Sequence, residues 1–267
     1  MTSDAQVKVR NRTLMMVALV ICYTLNFIDR QIIGILAEPI KLDLGLTDGQ
    51  LGWMGGAAFA IFYTLMAIPL AMLADRKDRS WIITVGLFFW SLMTAVCGMA
   101  QNFWQLFLAR MGVGIGEAAG VAPAYSLISD LYPPEKRARA LAIFSLGIPI
   151  GSACGVLFGG LLAATVDWRF AFISVGLLGV VFAPLFKWIV RDPGHGRAED
   201  GPRAAAPSFG TVFRTLASKP SFWMLGIGAG TASMVGYGLA FWIPSFLARS
   251  YELSLVNISL LYAFIAL

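Results

Sequence analysis

Apolar residues run along this chain in long, nearly unbroken blocks, and short polar stretches between them carry most of its charge. A membrane-spanning helix needs about 20 mostly apolar residues. Seven blocks meet that length: Leu14–Ala37, Gln50–Ala74, Trp81–Ala100, Phe103–Ile128, Leu141–Thr165, Phe170–Val190 and Phe222–Leu247. An eighth opens near Val256 and stops at Leu267, too short to span, so the pattern leads us to expect a piece of a longer protein.

Composition agrees. Hydrophobic residues make up 58% of the 267 positions, charged residues 13%, and mean hydropathy is +0.74. An ordinary soluble domain is about 45–50% apolar and about 25% charged, so this chain needs a bilayer to cover its apolar surface. The expected fold class is therefore an all-α membrane protein. Lys8, Arg10 and Arg12 precede a first block longer than the apolar core of about 7–15 residues in a cleaved signal peptide, so that block is expected to remain as a helix. Cys22, Cys97 and Cys154 fall in three different blocks and read as packing residues rather than a disulfide framework.

The net charge of +5 raises a nucleic-acid reading, which the distribution removes. Of the 20 Lys and Arg, Arg30 and Arg110 lie inside blocks, Lys41, Arg169 and Arg249 lie in loops on one side, and the rest lie on the other. The positive-inside rule then places the N-terminus and the basic loops in the cytoplasm of a multi-pass inner (plasma) membrane protein. Arg191–Ser221 is the one polar linker, and it follows six blocks. The expected organisation is a cytoplasmic N-terminus over residues 1–13, a six-helix bundle over 14–190, a cytoplasmic linker over 191–221, and the start of a second bundle over 222–267.

Four ionisable residues interrupt the first and fourth blocks: Asp29, Arg30, Arg110 and Glu117. Each costs about 2.5–3.5 kcal/mol at the bilayer centre, so they are expected to face one another or an aqueous cavity. With a rise of about 1.5 Å per residue, Asp29 lies about 22 Å above the cytoplasmic start of its helix, level with Arg110. Glu117 lies about 10 Å deeper than Arg110, seven residues on along the same face, and by this arithmetic stands apart from the other three. Asn26, Asp29 and Arg30 share one face of the first helix. Two polar stripes at matching depth predict two helices lining a central cavity.

Roles follow from charge. Glu117, and Asp29 in competition with it, are candidate proton carriers: burial opposes their negative charge and a nearby arginine favours it. Arg30 and Arg110, with Asn26, are candidate contacts for an anionic headgroup, because guanidinium holds phosphate or carboxylate through paired hydrogen bonds. The plainer reading is two structural ion pairs, Asp29–Arg110 and Arg30–Glu117. In the fifth block Gly147, Gly151, Gly155 and Gly159 recur every four residues, a stripe that lets helices approach closely. The glycines of the seventh block, Gly226, Gly228, Gly230, Gly236 and Gly238, read as flexible packing positions. Nearby, Tyr237 is a candidate for the cavity, while Trp242 reads better as an interfacial anchor.

The loop Leu73-Ala74-Asp75-Arg76-Lys77-Asp78-Arg79 resembles the signature between helices 2 and 3 of the Major Facilitator Superfamily, with Ala71, Asp78 and Ser80 departing from it. The resemblance implies conformational gating by Asp75, Arg76, Arg79 and Asp130: Arg79 would pair with Asp130, and Asp75 would face a helix of the other half. It also implies that fold, an N-terminal six-helix bundle plus the start of the C-terminal bundle, with the chain ending in helix 8. Arg110-Met-Gly-Val-Gly-Ile-Gly-Glu117-Ala, Asn26-Phe-Ile-Asp-Arg30, Ile128-Ser-Asp-Leu131 and Ile148-Pro-Ile-Gly-Ser152 together resemble the Spinster family of lysolipid and sphingolipid transporters.

The resemblance implies a proton-coupled secondary transporter of an amphipathic anion, with a transporter of small organic anions as the alternative. Partners would be the bilayer, that substrate, protons and the missing C-terminal half, with no nucleic acid, in a monomer. An enzyme or a seven-helix receptor fits less well. The chain shows no nucleotide-binding loop, no cofactor motif and no metal-ligand cluster around its single histidine, His195.

Overall fold

The computed structural model describes residues 12–194 and 209–266, and every regular element among them is a helix. Lys8, Arg10, His195, Arg197 and Arg203 lie outside the described residues, as does most of the linker before Phe209. Six of the described helices are long and apolar enough to cross a membrane: α1 (Arg12–Ile35), α2 (Asp48–Ala74), α3 (Arg79–Cys97), α5 (Pro134–Thr165), α6 (Trp168–Ile189) and α7 (Pro220–Tyr251); α4 (residues 103–131, in two pieces) lies between α3 and α5, and the short α8 (Leu255–Ala266) follows α7. A further helix, Ala37–Leu44, follows α1 and ends on Gly45, whose φ of 62° is the left-handed conformation that glycine accepts without steric cost.

The helix starts are written locally. Thr47 opens α2 with a capping box: it accepts from the Gln50 N–H, and its own N–H donates to the Gln50 side chain. Asp78 caps α3 through the Trp81 N–H, Asn102 caps α4 through Gln105, and Asp167 caps α6 through Phe170.

The structure corrects one expected element. The fourth block is not one helix but two, Phe103–Glu117 and Val121–Leu131, broken at Ala118–Gly120. Pro123 has no N–H for the Ala119 carbonyl, and its ring crowds that carbonyl, which accounts for the break four residues upstream. The same logic bends α5 at Leu146, where Pro149 frees the Ser145 carbonyl.

Close packing runs through glycines. α1 lies along α5 on the four-residue stripe, where a Cβ at Gly155 would stand 2.8 Å from the Ile28 carbonyl oxygen and one at Gly151 2.5 Å from that of Thr24. α3 lies on α6 and α4, and α2 crosses α4. α1 is the most deeply embedded helix, with Met15, Leu19, Ile32 and Ile33 fully buried. This is what carries the polar residues of α1 into the centre of the bundle.

Among the described residues, nothing lies within 4 Å of a Cβ position at Gly226, Gly228, Gly230, Gly236 or Gly238 of α7.

Candidate functional site at the centre of the bundle

The four intramembrane charges form two ion pairs. The Arg30 Nε donates to Glu117 Oε2 at 2.7 Å, with Glu117 fully buried and the Arg30 side chain 12% exposed. Glu117 is therefore not isolated, as depth along the helix suggested. An extended arginine reaches past a full turn, and helix rise places backbones rather than side-chain tips.

Rings enclose the Arg30 guanidinium, with Phe27, Phe59 and Tyr63 centroids 5.2, 5.0 and 4.9 Å from its carbon. Its Nη1 donates to the Tyr237 hydroxyl of α7 at 3.4 Å. Arg30 Nη2 and Glu117 Oε1 are buried and make no hydrogen bond among the described residues, so the pair keeps both a donor and an acceptor in reserve. Glu117 is also the last residue of the first α4 piece. That carbonyl end is an unfavourable place for a carboxylate unless a cation or a proton accompanies it.

The second pair is enclosed. Asp29 Oδ1 lies 3.6 Å from Arg110 Nη1, and both side chains are almost fully buried. Thr94 of α3 donates to Asp29 Oδ2, and its hydroxyl also lies 2.9 Å from the Trp90 carbonyl, so its single proton is shared between two acceptors. Asn26 is buried too, in a small apolar pocket beside Tyr23, Trp90 and Phe144. The spacing that grouped Asn26, Asp29 and Arg30 on one face thus divides in three dimensions. Asn26 and Asp29 turn into the α1–α3–α4 interior, and Arg30 turns toward α7.

A second polar cluster lies at the other end of α3. Arg79 is fully buried and donates to Asp130 at 2.5 Å, to Asp192 at 2.6 and 3.0 Å, to Ser126 at 2.9 Å and to the Gly194 carbonyl at 3.1 Å. The expected Arg79–Asp130 contact is present, while Asp75 and Arg76 are exposed in the preceding turn. Asp192 and Ser126 were missed. The only signal for Asp192 was an Asp-Pro-Gly run just after the sixth block, which reads as an ordinary turn. Lys187 completes the cluster, bonding Ser80 and Asp78 at 2.5 and 3.2 Å.

A family model described as Major Facilitator Superfamily matches residues 19–267. The chain belongs to that superfamily. Within it the chain is similar to Spinster proteins. It is 37% identical over 241 residues to an MFS-type efflux pump of Mycolicibacterium smegmatis, covering 90% of this chain and 55% of that protein. It is 34% identical over 243 residues to Protein spinster homolog 1 of Homo sapiens, covering 88% and 46%. A solved bacterial homologue of the human lysosomal transporter Spinster, inward-facing and unoccupied, superposes with a TM-score of 0.84 at 37% identity, covering 96% of this chain and 59% of that one. The chain thus spans about half the length of the curated relatives it matches.

Superfamily architecture gives the α7 contacts their meaning, since α7 opens the second bundle. Among the described residues α7 meets the first bundle mainly through its second half. The backbone of Phe241 lies against Gly34, its ring fills the notch at Gly55, and the half-buried Trp242 packs on Gly52. Beyond them Arg249 bonds Glu38 at 2.6–2.8 Å and Asp48 at 2.6 and 3.0 Å, and Lys41 bonds Asp48 at 2.8 Å. Gly55 lies in a five-residue π-helical turn, Trp53–Ala57, a local irregularity that often marks functional sites. The first half of α7 stands away from the bundle, and Tyr237, just past the midpoint, reaches inward to Arg30.

Proposed function

We propose that this chain forms the proton-coupled, headgroup-binding half of a secondary transporter that moves an amphipathic anion by alternating access. The observation that carries the reading is the Arg30–Glu117 pair, walled by Phe27, Phe59 and Tyr63 and touched by Tyr237 from α7. An ion pair between membrane helices seldom adds stability over apolar packing. This one retains an unused donor and acceptor beside an aromatic wall, a chemistry that suits a charged head joined to an apolar body.

Glu117 and Arg30 then work as one switch. A proton delivered to Glu117 leaves a neutral carboxyl, and Arg30 turns its guanidinium to the anionic head. Loss of that proton restores the pair and weakens the hold on the anion. Asp29, Arg110 and Thr94 hold α1, α3 and α4 in register, with Asp29 as the second proton carrier. Asn26 and Arg110 contribute from behind the site in this arrangement. The second half of α7 closes the outer side, and Arg79, Asp130, Asp75 and Arg76 belong to the inner gate. The basic loops support an inner-membrane location with these loops cytoplasmic.

The test is flux in sealed vesicles made with the full-length protein, a lysolipid series of increasing tail length and an imposed proton gradient. Glu117→Gln is expected to fold normally and to lose proton-driven uptake. Wild-type pH dependence in that variant refutes the proton role. Uptake indifferent to tail length refutes the amphipathic substrate and favours small organic anions.

A further inference from the structure

The segment before α7, which sequence alone reads as polar linker, contains a nine-residue helix, Phe209–Ala217. Val212, Phe213 and Leu216 lie on one side of it at helical spacing and are 38, 59 and 38% exposed. Thr211, Arg214 and Ser218 occupy the opposite side. The helix ends at once: Lys219 is extended with φ −98° and ψ 114°, and Pro220 starts the membrane span. The indole of Trp223, in the first turn of α7, donates to the Ala217 carbonyl at 2.9 Å and fixes the corner.

We propose that Phe209–Ala217 is a membrane-surface helix that lies flat on an anionic leaflet, with Val212, Phe213 and Leu216 in the acyl boundary and Arg214 and Lys219 on lipid phosphates. Three observations select this occupant over a protein partner. Two residues separate the helix from a spanning helix, so its end is held at the water–lipid boundary. Its basic residues complement an anionic leaflet. The extended backbone at Lys219 interrupts the helix, so it does not run on into α7 as one continuous helix. An amphipathic helix with aromatic and aliphatic residues on one face and a cation on the other, here Arg214 with Lys219 just past the helix end, is a form that binds in the interface plane. It would anchor the inner end of α7 at headgroup depth while the rest of α7 moves.

The experiment needs no transport, so its failure leaves the proposed function standing. In the full-length protein with Cys22, Cys97, Cys154 and any further cysteine changed to alanine, Val212→Cys and, separately, Thr211→Cys carry an environment-sensitive fluorophore. Each is reconstituted in phosphatidylcholine vesicles with and without phosphatidylglycerol, and quenching by brominated lipid and by aqueous iodide is compared. The expected result is lipid quenching at 212 and iodide quenching at 211, with the lipid signal stronger when phosphatidylglycerol is present. Arg214→Glu with Lys219→Glu should lower the inserted fraction, by about fivefold in the inserted-to-solvated ratio for each charge removed. Iodide quenching at both positions overturns the proposal. So does protection of 212 from both quenchers, which indicates a protein cover, and so does a lipid signal indifferent to phosphatidylglycerol.

Discussion

Arg79→Met isolates the cluster at the start of α3. Methionine preserves much of the apolar bulk and removes every donor. In the native chain the fully buried guanidinium serves Asp130 and Asp192, whose side chains are 12% and 8% exposed, together with Ser126 and the Gly194 carbonyl. Removing one partner of a buried pair costs about 3–5 kcal/mol because it strands the other charge. Asp192 keeps its bond from the residue-79 backbone N–H at 2.7 Å, and Asp130 is close enough to water to recover part of its solvation. The lower figure, about 3 kcal/mol or about two powers of ten in the folding equilibrium, is therefore expected. The assay is thermal unfolding in mild detergent with a thiol-reactive dye in a background where Cys97 is the reactive cysteine, Cys22 and Cys154 being changed to alanine, since Cys97 is fully buried and reports opening of α3. Arg79→Lys should fall between, because an ammonium keeps the charge but not the planar fork. The decisive control is a double-mutant cycle with Asp192→Asn. A coupling energy near zero, or an Arg79→Met protein that melts with the wild type, refutes this account of the cluster.

Three further outcomes follow from the same structure. Partial burial raises the pKa of Asp192, but hydrogen bonds from Arg79 and the Gly194 N–H lower it more, leaving it below its ordinary value. A depressed carboxylate gives stability that is present above its unfolded pKa of about 3.9 and is lost as pH falls through the folded value. Melting temperature should therefore drop in acid, and Asp192→Asn should flatten that slope. Gly155→Leu drives a side chain into the Ile28 backbone and should destabilise by about 1–3 kcal/mol or more, read as a lower melting temperature. Arg249→Glu places a third negative charge beside Glu38 and Asp48. It should speed labelling of a Ser245→Cys probe, native Ser245 being 2% exposed, by a membrane-impermeant thiol reagent, and an unchanged rate contradicts closure at that end.

The sequence by itself determined most of the spans, because both signals are local, while the break at Ala118–Gly120 and the helices Ala37–Leu44 and Phe209–Ala217 were not read from it. Block length against bilayer thickness fixed where the spans fall, and the capping residues Thr47, Asp78, Asn102 and Asp167 fixed where four of them start. It also determined which residues are chemically out of place, since Asp29, Arg30, Arg110 and Glu117 need partners wherever they point. The four-residue glycine stripe of α5 was readable for the same reason: small residues at helical spacing admit a neighbour whatever its identity. Only the tertiary structure decided who the partners are. Helix rise puts Asp29 and Arg30 at one depth, yet packing against α3 and α4 encloses Asp29 with Arg110 and Thr94 while Arg30 reaches down to Glu117. Asp192, at the end of α6, meets Arg79 at the start of α3 across 113 positions of sequence, a contact that no local pattern encodes. Close packing is a property of two surfaces, and a sequence displays one of them.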